Sequence, residues 1–338
     1  MMLFVRPIWI GTGSLLVLLL LILIAASFYF YHVAIKRNSK QFLSDNADLA
    51  QIQSSKSNED SIDPAITEKV QPTPVDVMGV DWVESQDYET WRITSDDGLA
   101  LVGYYLAAKV PTTRAVILAH GYSSQGKDMG SFAKFYYEKL GYNVLMPDDR
   151  GHGNSEGDYI GFGWPDRKDY LLWIRRVVEA VGDSAQIVLH GISMGGATVM
   201  MISGEDVPSQ VKAIVEDCGY TSAHDQLLYQ LKRIYKLPAF PIMPATSLVT
   251  RLKAGYHFHE ASALSQLKKN KLPMFFIHGA ADTFVPTEMA WKLYEACTAE
   301  KEIYIVAEAG HGMAYATDRR TYEQKVAAFI GKYLNNDG

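Results

Sequence analysis

The chain has 338 residues, 48 % of them hydrophobic, and a formal net charge of -6. This supplies one large core of about 250 residues with no need for a second folded domain, and the acidic balance, with an isoelectric point near 5.9, excludes the basic surface of a nucleic-acid binder. Cys218 and Cys297 are too few and too far apart for a disulfide framework or a zinc cluster and are expected as buried free thiols.

From Pro7 to Ile35 no side chain carries a formal charge apart from a possible one on His32, and the segment contains the run LLVLLLLILIAA. About 20 apolar residues cross a bilayer, so residues 1–35 are predicted to form one transmembrane anchor. Trp9 at one end and Phe28 to Tyr31 at the other resemble interfacial aromatic belts. Arg6 and Ala25-Ala26-Ser27 would suit a cleaved signal peptide, but the apolar run continues past that point and favours an anchor that is kept. Arg6 faces Lys36, Arg37 and Lys40 across the span, so the charge rule nearly ties. Residues 36–80 turn polar, with prolines at 64, 72 and 74, and are expected to be a flexible tether. A long hydrophilic tether suits a domain displayed on the extracytoplasmic face.

The folded part is expected over 81–338. WRITSDDGLALVGYYLA alternates apolar and polar residues about an Asp-Gly turn and reads as a hairpin. The runs RAVILAHG, YNVLMPD, AQIVLHG, VKAIVEDC, PMFFIHG and KEIYIVAEAGHG are short and β-rich, and many are separated by helical stretches such as RKDYLLWIRRVVEAV. Buried strands alternating with helices predict a parallel sheet covered on both faces, with the ligand beyond the strands' carboxyl ends. Between two of these strands, about 221–270, lie some 50 residues, too many for a structureless loop, so a helical insertion is expected there. Its run LLYQLKRIYKLPAFPIMP either packs the insertion down or lines a site for an acyl or aromatic group.

HGISMGGA sets Ser193 between glycines, after a strand and before a helix, which is the context of a nucleophile elbow. Gly191 and Gly195 hold the bend free of side chains, and Gly196 allows close helix packing. A serine needs a base and an orienting acid. His311, in the glycine-flanked loop after the last predicted strand, is the candidate base, whereas His120, His190 and His278 stand at their own strand ends as structural residues and His152 belongs to another turn. Asp282, in HGAADTFVP, is the candidate acid, with Asp217 in VEDCGY as the alternative. Backbone N–H groups of Met194 and Tyr122 are the candidate oxyanion donors.

With these pieces in order, the chain resembles the α/β-hydrolase superfamily, specifically monoacylglycerol-lipase-like and serine-aminopeptidase-like esterases. LAHGYSS, PDDRGHGNSEG, LHGISMGGA, VEDCGYTS, HGAADTFVP and AGHGMAY carry the resemblance, over about residues 85 to 335. It implies an α/β fold with an eight-stranded, mostly parallel sheet, helices on both faces, and a cap after the sixth strand. It also implies no metal and no cofactor. On matching positions it makes Ser193 the nucleophile, His311 the base, Asp282 the orienting acid, and Tyr122 with Met194 the oxyanion donors; Arg150 and His152 fall in a motif read as structural. A dehalogenase would have Asp at position 193 and a dienelactone hydrolase Cys. The expected protein is a monomeric, membrane-anchored serine hydrolase that cleaves small or medium acyl or aryl esters and binds no nucleic acid. An amidase or peptidase of the same fold and a non-catalytic anchored binding module are the alternatives, the second disfavoured by an intact Ser, Asp and His.

Overall fold

The computed structural model describes residues 5–44 and 79–335, so most of the expected tether, 45–78, lies outside the described residues. The apolar N-terminal segment forms helix α1, Val5–Phe30, continued by one wider turn over Tyr31–Ile35. Ser14–Ile35 is long and apolar enough to cross a membrane.

Eight strands follow: β1 Glu89–Thr94, β2 Ala100–Leu106, β3 Arg114–Ala119, β4 Asn143–Pro147, β5 Gln186–Ile192, β6 Val211–Asp217, β7 Met274–Gly279 and β8 Lys301–Val306. They form one sheet in the order β1-β2-β4-β3-β5-β6-β7-β8, antiparallel at β1–β2 and β2–β4 and parallel from there onward. The expected hairpin is the β1–β2 pair, and the mostly parallel α/β-hydrolase sheet is as expected.

Strand side chains alternate between faces with period two. In β3 and β5, Ala115, Ile117, Ile187 and Leu189 join one apolar layer, while Val116, Leu118 and Val188 join the other. The first layer is closed by helices α2 (Asp166–Val181) and α3 (Met194–Ile202), with Trp173, Ile174 and Met200 packed inside. The second is closed by Phe132, Tyr136, Tyr322 and Phe329 from segments before β4 and after β8. Both thiols are buried and free.

The long interval between β6 and β7 is helical, as its length requires, with α4 Ala223–Gln230 and α5 Ile242–Ala254 as its main elements. Ser222 caps α4 by accepting from the Asp225 N–H, and Gly255, at φ 80°, ends α5 in the left-handed conformation that glycine adopts without steric cost. Helix α5 packs along α1.

The tether was expected to start at Lys36, yet residues 36–43 are fastened to the folded domain. The Arg37 N–H donates to Asp158 O at 2.8 Å, and its guanidinium donates to Ser155 O and Gly153 O, both at 2.7 Å. Lys40 is buried and donates to Val33 O at 2.9 Å and Lys36 O at 2.8 Å, carbonyls that the end of the helical segment leaves without intrahelical partners. Burial lowers its ammonium to about 7. Leu43 and Ile35 are fully buried. Charged side chains that read as solvated thus find backbone carbonyls as partners, which composition alone does not reveal.

Candidate active site

The site is built at the carboxyl ends of the central strands. β5 ends at Ile192 and α3 begins at Met194, leaving Ser193 at φ 56°, a positive value that a side chain adopts only under constraint. The constraint is visible around it. The Ser193 N–H donates to Asp217 O at 2.8 Å, across from β6. A Cβ on Gly191 would lie 2.1 Å from Gly195 O, and one on Gly195 would lie 2.0 Å from Ala119 O. Glycine is therefore the residue that lets helix, elbow and β3 approach this closely.

His311 comes from the loop after β8 and Asp282 from the turn after β7. His311 Nδ1 lies 2.7 Å from Asp282 Oδ2, and His311 Nε2 lies 2.8 Å from Ser193 Oγ. The other carboxylate oxygen of Asp282 accepts from the Phe284 N–H at 2.9 Å and the Val285 N–H at 2.8 Å, which fixes the carboxylate plane. Burial would raise the Asp282 carboxyl, but His311 and His278 beside it outweigh burial and hold it far below the ordinary carboxylate range. An ionised Asp282 only accepts hydrogen bonds, so His311 Nδ1 must donate. In the neutral ring the Nε2 lone pair then faces the serine hydroxyl. The ring of Phe284 packs 4.8 Å from the imidazole.

Met194 opens a nine-residue helix, whose first N–H groups lack intrahelical acceptors and whose dipole is positive at this end. The loop carrying Tyr122 passes close by: a Cβ on Gly121 would be 3.5 Å from the Ser193 Cβ. The two candidate oxyanion donors thus belong to segments that flank the serine.

Asp217, the alternative acid, is engaged elsewhere. Its Oδ2 accepts from the Tyr322 hydroxyl at 2.9 Å, and burial pushes its carboxyl up to about 6. Tyr322 also meets His190 Nε2 at 3.0 Å, and His190 Nδ1 meets the Tyr136 hydroxyl at 3.1 Å. Burial lowers His190 to about 3, so the ring is a neutral link in this chain. His120 accepts from the Asp149 N–H at 3.0 Å, and His152 Nδ1 is 3.0 Å from Arg150 O. Arg150 ties its loop down through bidentate pairs with Asp169, both at 2.7 Å, and with Asp97 at 2.8 and 3.1 Å. His278, read as a strand-end residue, also stands 3.3 Å from Asp282 Oδ2 while meeting Val285 O at 2.9 Å.

Cys218, Asp282 and His311 place possible metal-binding atoms within 4.8 Å of one another. Burial pushes the Cys218 thiol well up, keeping it protonated, and both His311 nitrogens are already engaged, so the trio has the wrong donor set for a cation.

Above Ser193 lies an apolar cavity walled by Phe162, Tyr220, Leu231, Met243 and Phe258 among others. Phe30, Val33, Ala34 and Phe42 also line it, and nothing in the sequence pattern placed the N-terminal helix there. The Tyr122 ring lines it too.

A serine on a strand–helix elbow, at the carboxyl edge of this sheet and facing a histidine, defines a serine hydrolase of the α/β-hydrolase fold. Residues 129–337 match the prolyl oligopeptidase family, and the chain belongs to it. The Bacillus subtilis protein YqkD is 28 % identical over 247 residues, 73 % of this chain and 80 % of its own. In structure, the chain is similar to the Pyrococcus furiosus esterase Pf2001, with a TM-score of 0.62 and 23 % identity over 80 % of this chain and 97 % of that one. It is also similar to the Pyrococcus horikoshii acylaminoacyl peptidase, with a TM-score of 0.56 and 18 % identity over 77 % of this chain and 44 % of that one. At these identities the two solved structures bear on the fold alone.

Proposed function

We propose that the chain is a membrane-anchored hydrolase of carboxylic esters, working through Ser193, His311 and Asp282. The observation that carries this reading is the unbroken hydrogen-bonded line from Asp282 through His311 to Ser193 at the floor of an apolar cavity. Ser193 Oγ attacks the ester carbonyl carbon while its proton passes to His311 Nε2, and the N–H groups of Tyr122 and Met194 receive the carbonyl oxygen as it becomes an oxyanion. Such donors stabilise the transition state by about 3 kcal/mol each. Collapse expels the alcohol, which takes the proton from His311. Water then attacks the acyl-enzyme, gives a proton to His311 and releases the acid, and the serine recovers its proton. Asp282 holds the ring and offsets the charge of the imidazolium.

The residues lining the cavity favour an ester over a peptide. Their polar members are neutral, such as Gln226, Gln230 and Thr246, and none of the described lining residues carries a charge to meet a peptide's terminus. The helices between β6 and β7 act as the cap over this acyl side. Amide hydrolysis is the second reading, favoured by membership of the prolyl oligopeptidase family. Membrane anchoring is supported by α1, where Leu15 to Leu21 are each 52–67 % exposed, and by Leu248 and Leu252, exposed on the helix packed along it. Water does not tolerate so large an apolar patch, whereas a bilayer accepts it.

Full-length protein in detergent micelles is expected to hydrolyse p-nitrophenyl esters and to leave aminoacyl-anilides nearly untouched. High anilide turnover with negligible ester turnover would move the assignment to an amidase. Absence of both, in folded protein, would leave a binding module.

A further inference from the structure

We propose that the segment Phe30 to Phe42, which contains the end of the N-terminal helix and the stretch that follows it, is a wall of the substrate's acyl site, so that the anchor itself selects esters with an aliphatic acyl chain. The proposal rests on the ester reading above and goes beyond it, because it gives the anchor a part in substrate choice. Phe30, Val33, Ala34 and Phe42 line the same cavity as Ser193. Facing them from the cap is Tyr235, whose ring stands perpendicular to Phe30 at 5.1 Å.

This wall is fixed in place. The Tyr122 hydroxyl donates to Ala34 O at 2.9 Å, joining the wall to the loop that flanks the serine. Arg37 holds the carbonyls of Gly153 and Ser155, and Lys40 closes the last turn. All four wall side chains are apolar, and none offers a hydrogen bond to a head group or a sugar. Phe30, Val33 and Ala34 also belong to the helical segment whose exposed face is apolar from Leu15 to Ile22. A chain that dissolves in hydrocarbon suits both surfaces.

The test uses full-length protein in lipid nanodiscs and p-nitrophenyl esters from acetyl to dodecanoyl. Val33→Trp, which fills the wall side, is expected to lower the ratio of kcat/KM for the dodecanoyl ester over the butanoyl ester by on the order of tenfold or more. Phe42→Ala, which opens it, is expected to move the optimum toward longer or bulkier acyl groups. The exposed Leu19→Trp should keep the wild-type profile, showing that a tryptophan in the anchor is not itself the cause. An unchanged chain-length profile in Phe42→Ala and in folded Val33→Trp overturns the proposal; should Val33→Trp fail to fold, an unchanged profile in Phe42→Ala does so alone. Wild-type protein that turns over no ester of the series contradicts the parent reading instead, and that arm is read first.

Discussion

Asp282→Asn is expected to lower kcat by about 10⁴-fold while leaving the fold intact. The amide oxygen can keep the Phe284 and Val285 N–H donors, so the side chain stays in place. Its NH₂ would then face His311 Nδ1, which must become an acceptor. The ring proton moves to Nε2, the atom 2.8 Å from Ser193 Oγ, and the base loses the lone pair it needs. Asp217→Asn is the contrast. Asp217 is buried and near, but its bond is to Tyr322, and an amide oxygen there can still accept that hydroxyl. Loss of about 1 kcal/mol in a neighbouring network corresponds to less than about tenfold in rate. Steady-state kinetics on one ester, with thermal unfolding as the folding control, separates the two. If Asp217→Asn were the more damaging, the orienting acid would be misassigned.

Gly195→Ala carries the second large effect, this time on stability. The added methyl would be 2.0 Å from Ala119 O, 2.4 Å from Ala119 C and 2.7 Å from His120 O. All three are backbone atoms at the end of β3, a strand paired on both sides with β4 and β5, so they cannot retreat cheaply. Overpacking of this kind costs about 3 kcal/mol or more, which for a domain of this size is a fall in Tm of roughly 6–12 °C. Gly310→Ala is the matching control: a Cβ there meets nothing within 4 Å, and its effect should stay within about 0.5 kcal/mol. Equal melting temperatures for the two variants would mean that the elbow is not held against β3 as described.

The contrast between these glycines shows what a sequence can carry. Gly191 and Gly195 were legible because the constraint is local: a strand and a helix meeting at one residue leave a signature five residues long. The sheet was legible for the same reason, since each strand is a short β-rich run and its neighbours follow from the order of strands and helices. His311 was distinguishable from eight other histidines because it follows the last strand in a glycine-flanked loop. The docking of the anchor was not legible. Arg37 meets Gly153 and Ser155, 116 and 118 positions away, through backbone carbonyls that every residue type supplies. No side-chain pattern marks such a contact. Lys40 is harder still, because a lysine in a polar run looks solvated, and partners such as the carbonyls of Val33 and Lys36 and the ring of Tyr122 make its burial tolerable. Phe30 and Val33 carry the anchor's apolar pattern whether they face lipid, cap or substrate.

Catalysis by this chain requires Ser193 to be an activated nucleophile. Full-length protein treated with a fluorophosphonate and digested for peptide mass spectrometry should carry a single adduct, on the peptide containing Ser193, and His311→Ala should suppress it. An unmodified Ser193 in folded wild-type protein, or labelling of equal extent after loss of His311, would contradict the account.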